Sequence, residues 1–231
     1  NPECLILYER VENELYRLEM EFSELFPEAH YVSILGDILD LKRLEGVMQE
    51  YRPEIVFHAA AYKHVPMMET HPLEAIKNNI LGTQNVAGAS AKWRVEKFVM
   101  ISTDKAVKPI NVMGASKRIA ELVCQGLNLQ QKTKYVVVRF GNVLNSAGSV
   151  IPLFKEQIGK GGPLTVTHPE ATRYFMSIPE ASQLVMQAGA MGRGGEIFVL
   201  DMGEPIRITD LAMDMVRLMG LKIGEDIDIV Y

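Results

Sequence analysis

Short apolar runs and longer amphipathic stretches alternate along the chain as far as Phe140. Residues 4–8, 31–35, 55–58, 97–102 and 135–140 are apolar almost throughout, the pattern of strands covered on both faces. Between them, residues 12–26 set Leu15, Leu18, Phe22, Leu25 and Phe26 on one side of a helix, and residues 42–51 predict a second helix stopped by Pro53. Residues 73–91 and 112–129 predict two more. Apolar strands alternating with amphipathic helices predict an α/β fold, a doubly wound parallel sheet with right-handed crossovers. After Gly141 the rhythm breaks into glycine- and proline-rich loops, helices at 151–158, 179–190 and 208–219, and short extended pieces at 164–167 and 197–200. The expected organisation is a Rossmann-like domain over residues 1–141 and a smaller lobe over 142–231. The chain opens directly on a strand and closes in an extended run, 227–231, so a piece cut at both ends is expected.

Composition narrows the class. With 231 residues, 48% hydrophobic and 23% charged, the chain can bury one large core, or one core and a small lobe, which sets aside disordered and fibrous classes. A net charge of -5 without a basic stripe argues against a nucleic-acid partner. Cys4 and Cys124 lie in apolar runs and read as buried thiols of a reducing compartment. No stretch is long and apolar enough for a membrane span, and no signal peptide is present. The chain itself reads as soluble and cytoplasmic, without membrane contact.

In open parallel sheets ligands sit beyond the carboxyl ends of the strands, so the residues after each strand are the candidates for chemistry. After the first strand stand Glu9 and Arg10. The acid suits the ribose hydroxyls of NAD and the arginine the extra phosphate of NADP, and both stay open. After the second, Gly36-Asp37-Ile38 forms a tight turn whose carboxylate suits an adenine amino group. After the third, Ala59, Ala60 and Ala61 allow a flat ligand close to the backbone, followed by Tyr62, Lys63 and His64. His58 reads as a satisfied core histidine. The fourth strand ends in Ser102-Thr103-Asp104-Lys105, and the next helix carries Met113 and, one turn on, Lys117. Asp104 beside Lys105 sets a proton donor next to an acceptor. After the fifth strand, Asn142 and the Gly148-Ser149-Val150 segment suit a diphosphate or sugar, as does Arg173 further on.

Taken together, Ala59-Ala60-Ala61-Tyr62-Lys63-His64-Val65-Pro66, Asn78-Asn79-Ile80-Leu81-Gly82-Thr83, Ser102-Thr103-Asp104-Lys105-Ala106, Met113-Gly114-Ala115-Ser116-Lys117 and Arg139-Phe140-Gly141-Asn142-Val143 closely resemble the CapD-like polysaccharide-biosynthesis family of extended short-chain dehydrogenases. Within it the chain is most similar to the large membrane-anchored UDP-N-acetylglucosamine 4,6-dehydratases, because Met113 stands where most short-chain dehydrogenases carry a tyrosine. The resemblance implies a bound NAD or NADP, a UDP-sugar substrate and a homo-oligomer. It implies Lys105 as base at sugar C5, Asp104 as acid at the C6 hydroxyl, Thr103 on O4 and Lys117 on the nicotinamide ribose. Glu9, Asp37, Ile38, Ala59, Ala60, Ala61 and Asn79 are the implied cofactor contacts, and Lys63, His64, Asn142, Ser149, Val150 and Arg173 the implied substrate contacts; no metal is implied.

Two expectations qualify this. A thioether accepts no proton, so the O4 proton is expected to pass through Thr103 and Asp104. The first strand and its Gly-x-Gly-x-x-Gly turn are expected before Asn1, and the membrane anchor of the larger relatives upstream of that, so this piece is expected to hold cofactor poorly. The rival readings are a nucleotide-sugar 4- or 5-epimerase of the same fold and a fragment without activity.

Overall fold

The computed structural model describes residues 2–146 and 148–231. They fall into two units, one of Asn1–Ile101, Lys105–Val137 and Gly192–Glu196, the other of Ser102–Asp104, Val138–Met191 and Ile197–Tyr231.

In the first unit β1 (Leu5–Glu9) and β2 (Tyr31–Leu35) pair in parallel, Leu5 opposite Tyr31 through Glu9 opposite Leu35. Helix α1 (Glu12–Leu25) packs on this ribbon. Only Leu15 of its expected apolar face is buried, while Leu18, Leu25 and Phe26 are exposed. Two strands about 4.8 Å apart offer a surface barely as wide as one helix, too narrow for the whole stripe. Helix α2 (Leu41–Tyr51) starts where Asp40 accepts the Arg43 amide at 3.0 Å. It ends before Pro53 with Arg52 in the left-handed region at φ 48°.

β3 (Ile55–His58) pairs in parallel with β4 (Lys97–Thr103), and the strand order continues to β5 (Lys134–Phe140) and β10 (Ile197–Val199). Among the described residues the sheet thus stands in two pieces, β2–β1 and β3–β4–β5–β10, and Ile55 and Phe57 of β3 are 52% and 49% exposed. Phe98, Val99 and Met100 of β4 and Tyr135, Val136 and Val137 of β5 are buried, as strands with both faces covered require. Helices α5 (Gly82–Lys92) and α6 (Val112–Gln130) pack together and bury Val86, Ala87, Ala120 and Cys124. The Tyr135 hydroxyl, inside this core, donates to Ala87 O at 2.8 Å.

The helix expected over 73–91 is present as continuous helical backbone, widened in its middle. Helix α3 (Val65–Thr70), a loop by sequence, precedes α4 (Pro72–Ala75) and a π-helical stretch, Ile76–Leu81, before α5. Pro66 and Pro72 each fall in a first turn, where a missing amide costs nothing. The consecutive Asn78 and Asn79 of the π turn both lie inside, 4% and 0% exposed.

The second unit has its own core, Phe154 and Ile158 of α7 (Val150–Gly159) against Ala212, Met215 and Val216 of α9 (Ile208–Leu218) and Ile227. Short strand pairs stitch its loops: β6 (Asn142–Val143) with β9 (Phe175–Met176), β7 (Leu164–Thr165) with β12 (Ile229–Val230), and β8 (Thr172–Arg173) with β11 (Ile206–Arg207). Helix α8 (Ile178–Met191) completes it. Cys4 and Cys124 are free thiols, and only Cys124 is fully buried. Among the described residues no helix is long and apolar enough to cross a membrane, and no group of three or more acidic, histidine or cysteine residues is set to hold a metal.

Candidate active site

The carboxyl ends of β1, β2 and β3 enclose a cavity of about 310 Å³ in the first unit, at the lower end of the range for small-molecule sites. Tyr8, Glu9 and Arg10 form one wall, Gly36 and Ile38 a second, Ala59, Ala60, Ala61 and Tyr62 a third, and Asn78 closes it. Gly36 is required here, since a Cβ would collide with the Tyr8 ring. That ring is anchored by a 3.0 Å bond from its hydroxyl to Asp37 O.

Glu9 is held by its own loop: Oε1 accepts the amides of Arg10 and Val11, both at 2.8 Å. Asp37 lies between two lining residues, but its carboxylate is committed to the fold. Oδ1 accepts the Leu39 amide at 2.8 Å and Oδ2 sits 3.8 Å from Arg10. The carboxylate expected to meet adenine is thus bonded within its own turn, with Gly36 and Ile38 lining the cavity.

Asn79 is likewise engaged within the fold. Its Oδ1 accepts Tyr62 N at 2.8 Å and Asn78 Nδ2 at 3.1 Å, and its Nδ2 donates to Tyr62 O and Ser116 Oγ at 3.0 Å. Every hydrogen-bonding site of a fully buried amide is used, so Asn79 acts by clamping the backbone of the Ala59–Tyr62 loop. Below it, Thr83 donates its one hydroxyl proton to Asn79 O at 2.7 Å, so His58 Nε2, 2.9 Å from Thr83 Oγ1, must be the donor of that pair. Burial, then the Lys117 charge, push the His58 imidazole down to about 3. It is a neutral core histidine, as the sequence suggested.

Lys117 is buried on α6, and burial lowers its amine to about 8 against the opposing pull of Cys124 and Glu121. Glu121, one turn on and fully buried, is bridged to Arg118 at 2.9 Å. Met113 is 4% exposed and packs with Met68 and Ala75. Lys63 and His64 stand at the surface beyond Tyr62, with burial lowering the Lys63 amine somewhat.

At the end of β4 the Thr103 hydroxyl donates to Asp104 Oδ1 at 2.8 Å, and Asp104–Ala106 forms a 3-10 turn. In the first unit the Lys105 backbone lies directly on the first turn of α6, where a Cβ on Gly114 would run into the Lys105 carbonyl. Asn111 caps the helix, accepting Gly114 N at 2.7 Å, and Glu69 accepts Val112 N at 2.7 Å. Gly114 thus fixes how Lys105 is seated.

In the second unit, Asn142 begins β6 with its amide on Tyr174 O at 3.0 Å. Gly141 before it is close against Tyr174 and Met202, where a Cβ would fit only if these neighbours gave by a few tenths of an ångström. Ser149 precedes Val150, the first residue of α7, and its hydroxyl is buried without a partner among the described residues. Arg173 is exposed, and Nη1 donates to Thr172 O at 2.6 Å. Sequence reasoning missed Asn78, Thr83, Ser116 and Glu121 as parts of the polar interior. The one available signal was the pair of adjacent asparagines on an otherwise amphipathic stretch.

A parallel sheet with helices between its strands, opening on a small-residue cavity at the strands' carboxyl ends, defines a Rossmann-like protein of the extended short-chain dehydrogenase type. The chain belongs to the polysaccharide biosynthesis protein family, which it matches over residues 1–231. It is 58% identical to the capsular polysaccharide biosynthesis protein CapD of Staphylococcus aureus over 100% of the chain and 39% of that protein. It is 54% identical to the probable polysaccharide biosynthesis protein EpsC of Bacillus subtilis over 95% of the chain and 37% of that protein. The chain therefore spans under two fifths of the length of these curated relatives. A UDP-glucose 4-epimerase of Rickettsia canadensis is 45% identical over 71% of the chain and 49% of the epimerase. Among solved structures, Pen from Bacillus thuringiensis superposes with a TM-score of 0.91 at 34% identity, covering 100% of this chain and 72% of Pen. DesIV of Streptomyces venezuelae, a dTDP-glucose 4,6-dehydratase crystallised with NAD, gives a TM-score of 0.84 at 20% identity over 97% of this chain and 74% of DesIV, a likeness of fold alone.

Proposed function

We propose that this chain is the catalytic part of a nucleotide-sugar 4,6-dehydratase that uses NAD(P) to convert UDP-N-acetylglucosamine into a UDP-4-keto-6-deoxy sugar. The observation that carries the reading is the turn at the end of β4, where Thr103 is bonded to Asp104 and Lys105 is seated on Gly114. Elimination from a sugar needs an acid and a base held in one place, and this turn supplies both.

The cavity after β1, β2 and β3 fits the adenosine end of the cofactor. Its walls are alanines and a required glycine, its volume suits one nucleoside, and Glu9 offers a second carboxylate oxygen to a ribose hydroxyl. NAD(P), when bound, takes up hydride from sugar C4 and returns it to C6. Lys117, whose buried amine keeps a lowered pKa, is the group for the nicotinamide ribose. Thr103 binds O4 and passes its proton toward Asp104, the role a tyrosine would hold where Met113 packs into an apolar cluster. Lys105 takes the C5 proton once C4 is a ketone, Asp104 protonates the C6 hydroxyl as it leaves as water, and protonated Lys105 returns a proton to C5 as hydride reaches C6. In the second unit Asn142, Arg173 and the unpartnered Ser149 hydroxyl at the start of α7 suit the diphosphate, since a helix start is a ready anion site. The test is turnover in heavy water: a product carrying deuterium at C5 supports proton removal there, and a product without it overturns the reading.

One observation favours a second reading, the 45% identity to a protein named as a UDP-glucose 4-epimerase. A 4-epimerase needs no acid at C6 and leaves C5 untouched, so the same measurement separates the two.

A further inference from the structure

Helix α6 carries Gly114, on which the Lys105 backbone is seated, and the buried Lys117 one turn on. The approach to this helix does little to hold its start in place. Residues 107–110 are exposed throughout, Ile110 at 96%, and Lys108 takes φ 46°. The first turn of a helix also leaves amides that the helix itself cannot satisfy. Asn111 accepts that of Gly114 at 2.7 Å, but it belongs to the same segment and moves with it. The Val112 amide is met from a different element, α3, where Glu69 Oε1 accepts it at 2.7 Å. Helix α3 is itself anchored. Met68, the neighbour of Glu69, is 5% exposed and packs with Ala75 and Met113, with Tyr62, Val65 and Val112 against them.

We propose that Glu69 is a positioning residue for Lys105: by holding the Val112 amide it fixes the first turn of α6 where Gly114 receives the Lys105 backbone, and so sets how Lys105 reaches the carbon that loses its proton. The inference rests on the reading of Lys105 as the base at C5. Release of the Val112 amide lets the first turn slide beneath the Lys105 carbonyl, a contact with no slack even for a Cβ. A misplacement of about 1 Å at a reacting group costs on the order of 10²-fold in rate. What α6 receives from Glu69 is an acceptor oxygen at a fixed reach. Glutamine offers an equivalent oxygen without the charge, whereas aspartate keeps the charge and falls short by a methylene.

The test compares Glu69→Gln, Glu69→Asp and Glu69→Ala in the full-length protein that carries this chain, with UDP-N-acetylglucosamine and NAD. Glu69→Gln should match the parent. Glu69→Ala and Glu69→Asp should lower kcat by about 10- to 100-fold with KM for the sugar nucleotide unchanged. With substrate deuterated at C5 the isotope effect on kcat should grow in these two variants, because proton removal is the step that slows. A merely structural loss lowers the amount of active enzyme and leaves the isotope effect as it was, which overturns the inference. A parent-like kcat in Glu69→Ala, or an equal loss in Glu69→Gln, overturns it too. Hydrogen exchange of the segment 106–115 reads the contact without turnover: faster exchange in Glu69→Ala and Glu69→Asp than in the parent and Glu69→Gln is expected, and equal exchange in all four overturns the inference. The expected exchange pattern in a parent protein that removes no water from UDP-N-acetylglucosamine overturns the reading of the reaction and leaves the contact standing.

Discussion

Asp104 is where a single atom decides most. Its carboxylate is the proposed acid at C6, and groups of that kind contribute roughly 10²- to 10⁴-fold. Asp104→Asn should lower the rate of water loss by that factor and leave NAD affinity unchanged, measured by stopped assay and titration on the same preparation. Lys117 makes a different kind of prediction. Its amine titrates at about 8 when folded against 10.5 when free. Below pH 8 it is charged in both states and the cost of burying it is complete. Between 8 and 10.5 the unfolded chain binds more protons, so this group's contribution to stability rises with pH. In urea unfolding, Lys117→Met should therefore be more stable than the parent at pH 7, with the gap closing as pH climbs toward 10.5. The position of Thr103, Asp104 and Lys105 at the end of an apolar strand was legible in the sequence, and the structure places them there. The roles of Asp37 and Asn79 were not, since the partners that capture their side chains, Leu39, Arg10, Tyr62 and Ser116, meet them only through the folded loops.

Two contacts between elements hold the candidate site. The Lys105 backbone rests on Gly114 of α6 with no space for a Cβ. Gly114→Ala must move the turn or the helix, and overpacking of this sort costs about 1–3 kcal/mol. A loss of activity larger than the loss of stability, read from kcat and from unfolding of the same variant, is the expected signature. Asn79 joins the π turn to the Ala59–Tyr62 loop and to α6. Asn79→Ala should destabilise by about 1–3 kcal/mol for each buried partner left unpaired and weaken cofactor binding. Strands were easy to read because covered strands are apolar end to end. The π turn and α3 were not: a proline in Val65–Thr70 reads as a breaker until its place in the first turn is known, and a one-residue widening leaves little mark on a periodicity of apolar positions. Helix α1 misled in the opposite sense, its apolar stripe being wider than the two strands beneath it.

For the molecule as a whole, His58, in the buried polar chain with Thr83 and Asn79, contributes to the response to acid. His58 titrates at about 3 in the fold against 6.5 when free. Above 6.5 it is neutral in both states and its contribution is full; as pH falls from 6.5 toward 3 the unfolded chain takes the proton first and stability declines, by up to about 1.4 kcal/mol per pH unit for one proton. His58→Gln should flatten that limb of a stability–pH curve. The neutral, hydrogen-bonded interior carries the loops that line the proposed cofactor cavity, and the turn after β4 carries the proposed acid and base. The central claim is that this arrangement removes water from a nucleotide sugar. Mass spectrometry of UDP-N-acetylglucosamine incubated with NAD and the full-length protein that carries this chain tests it most directly: a product lighter by one water is the result expected, and a product of unchanged mass with its C4 hydroxyl inverted would contradict it.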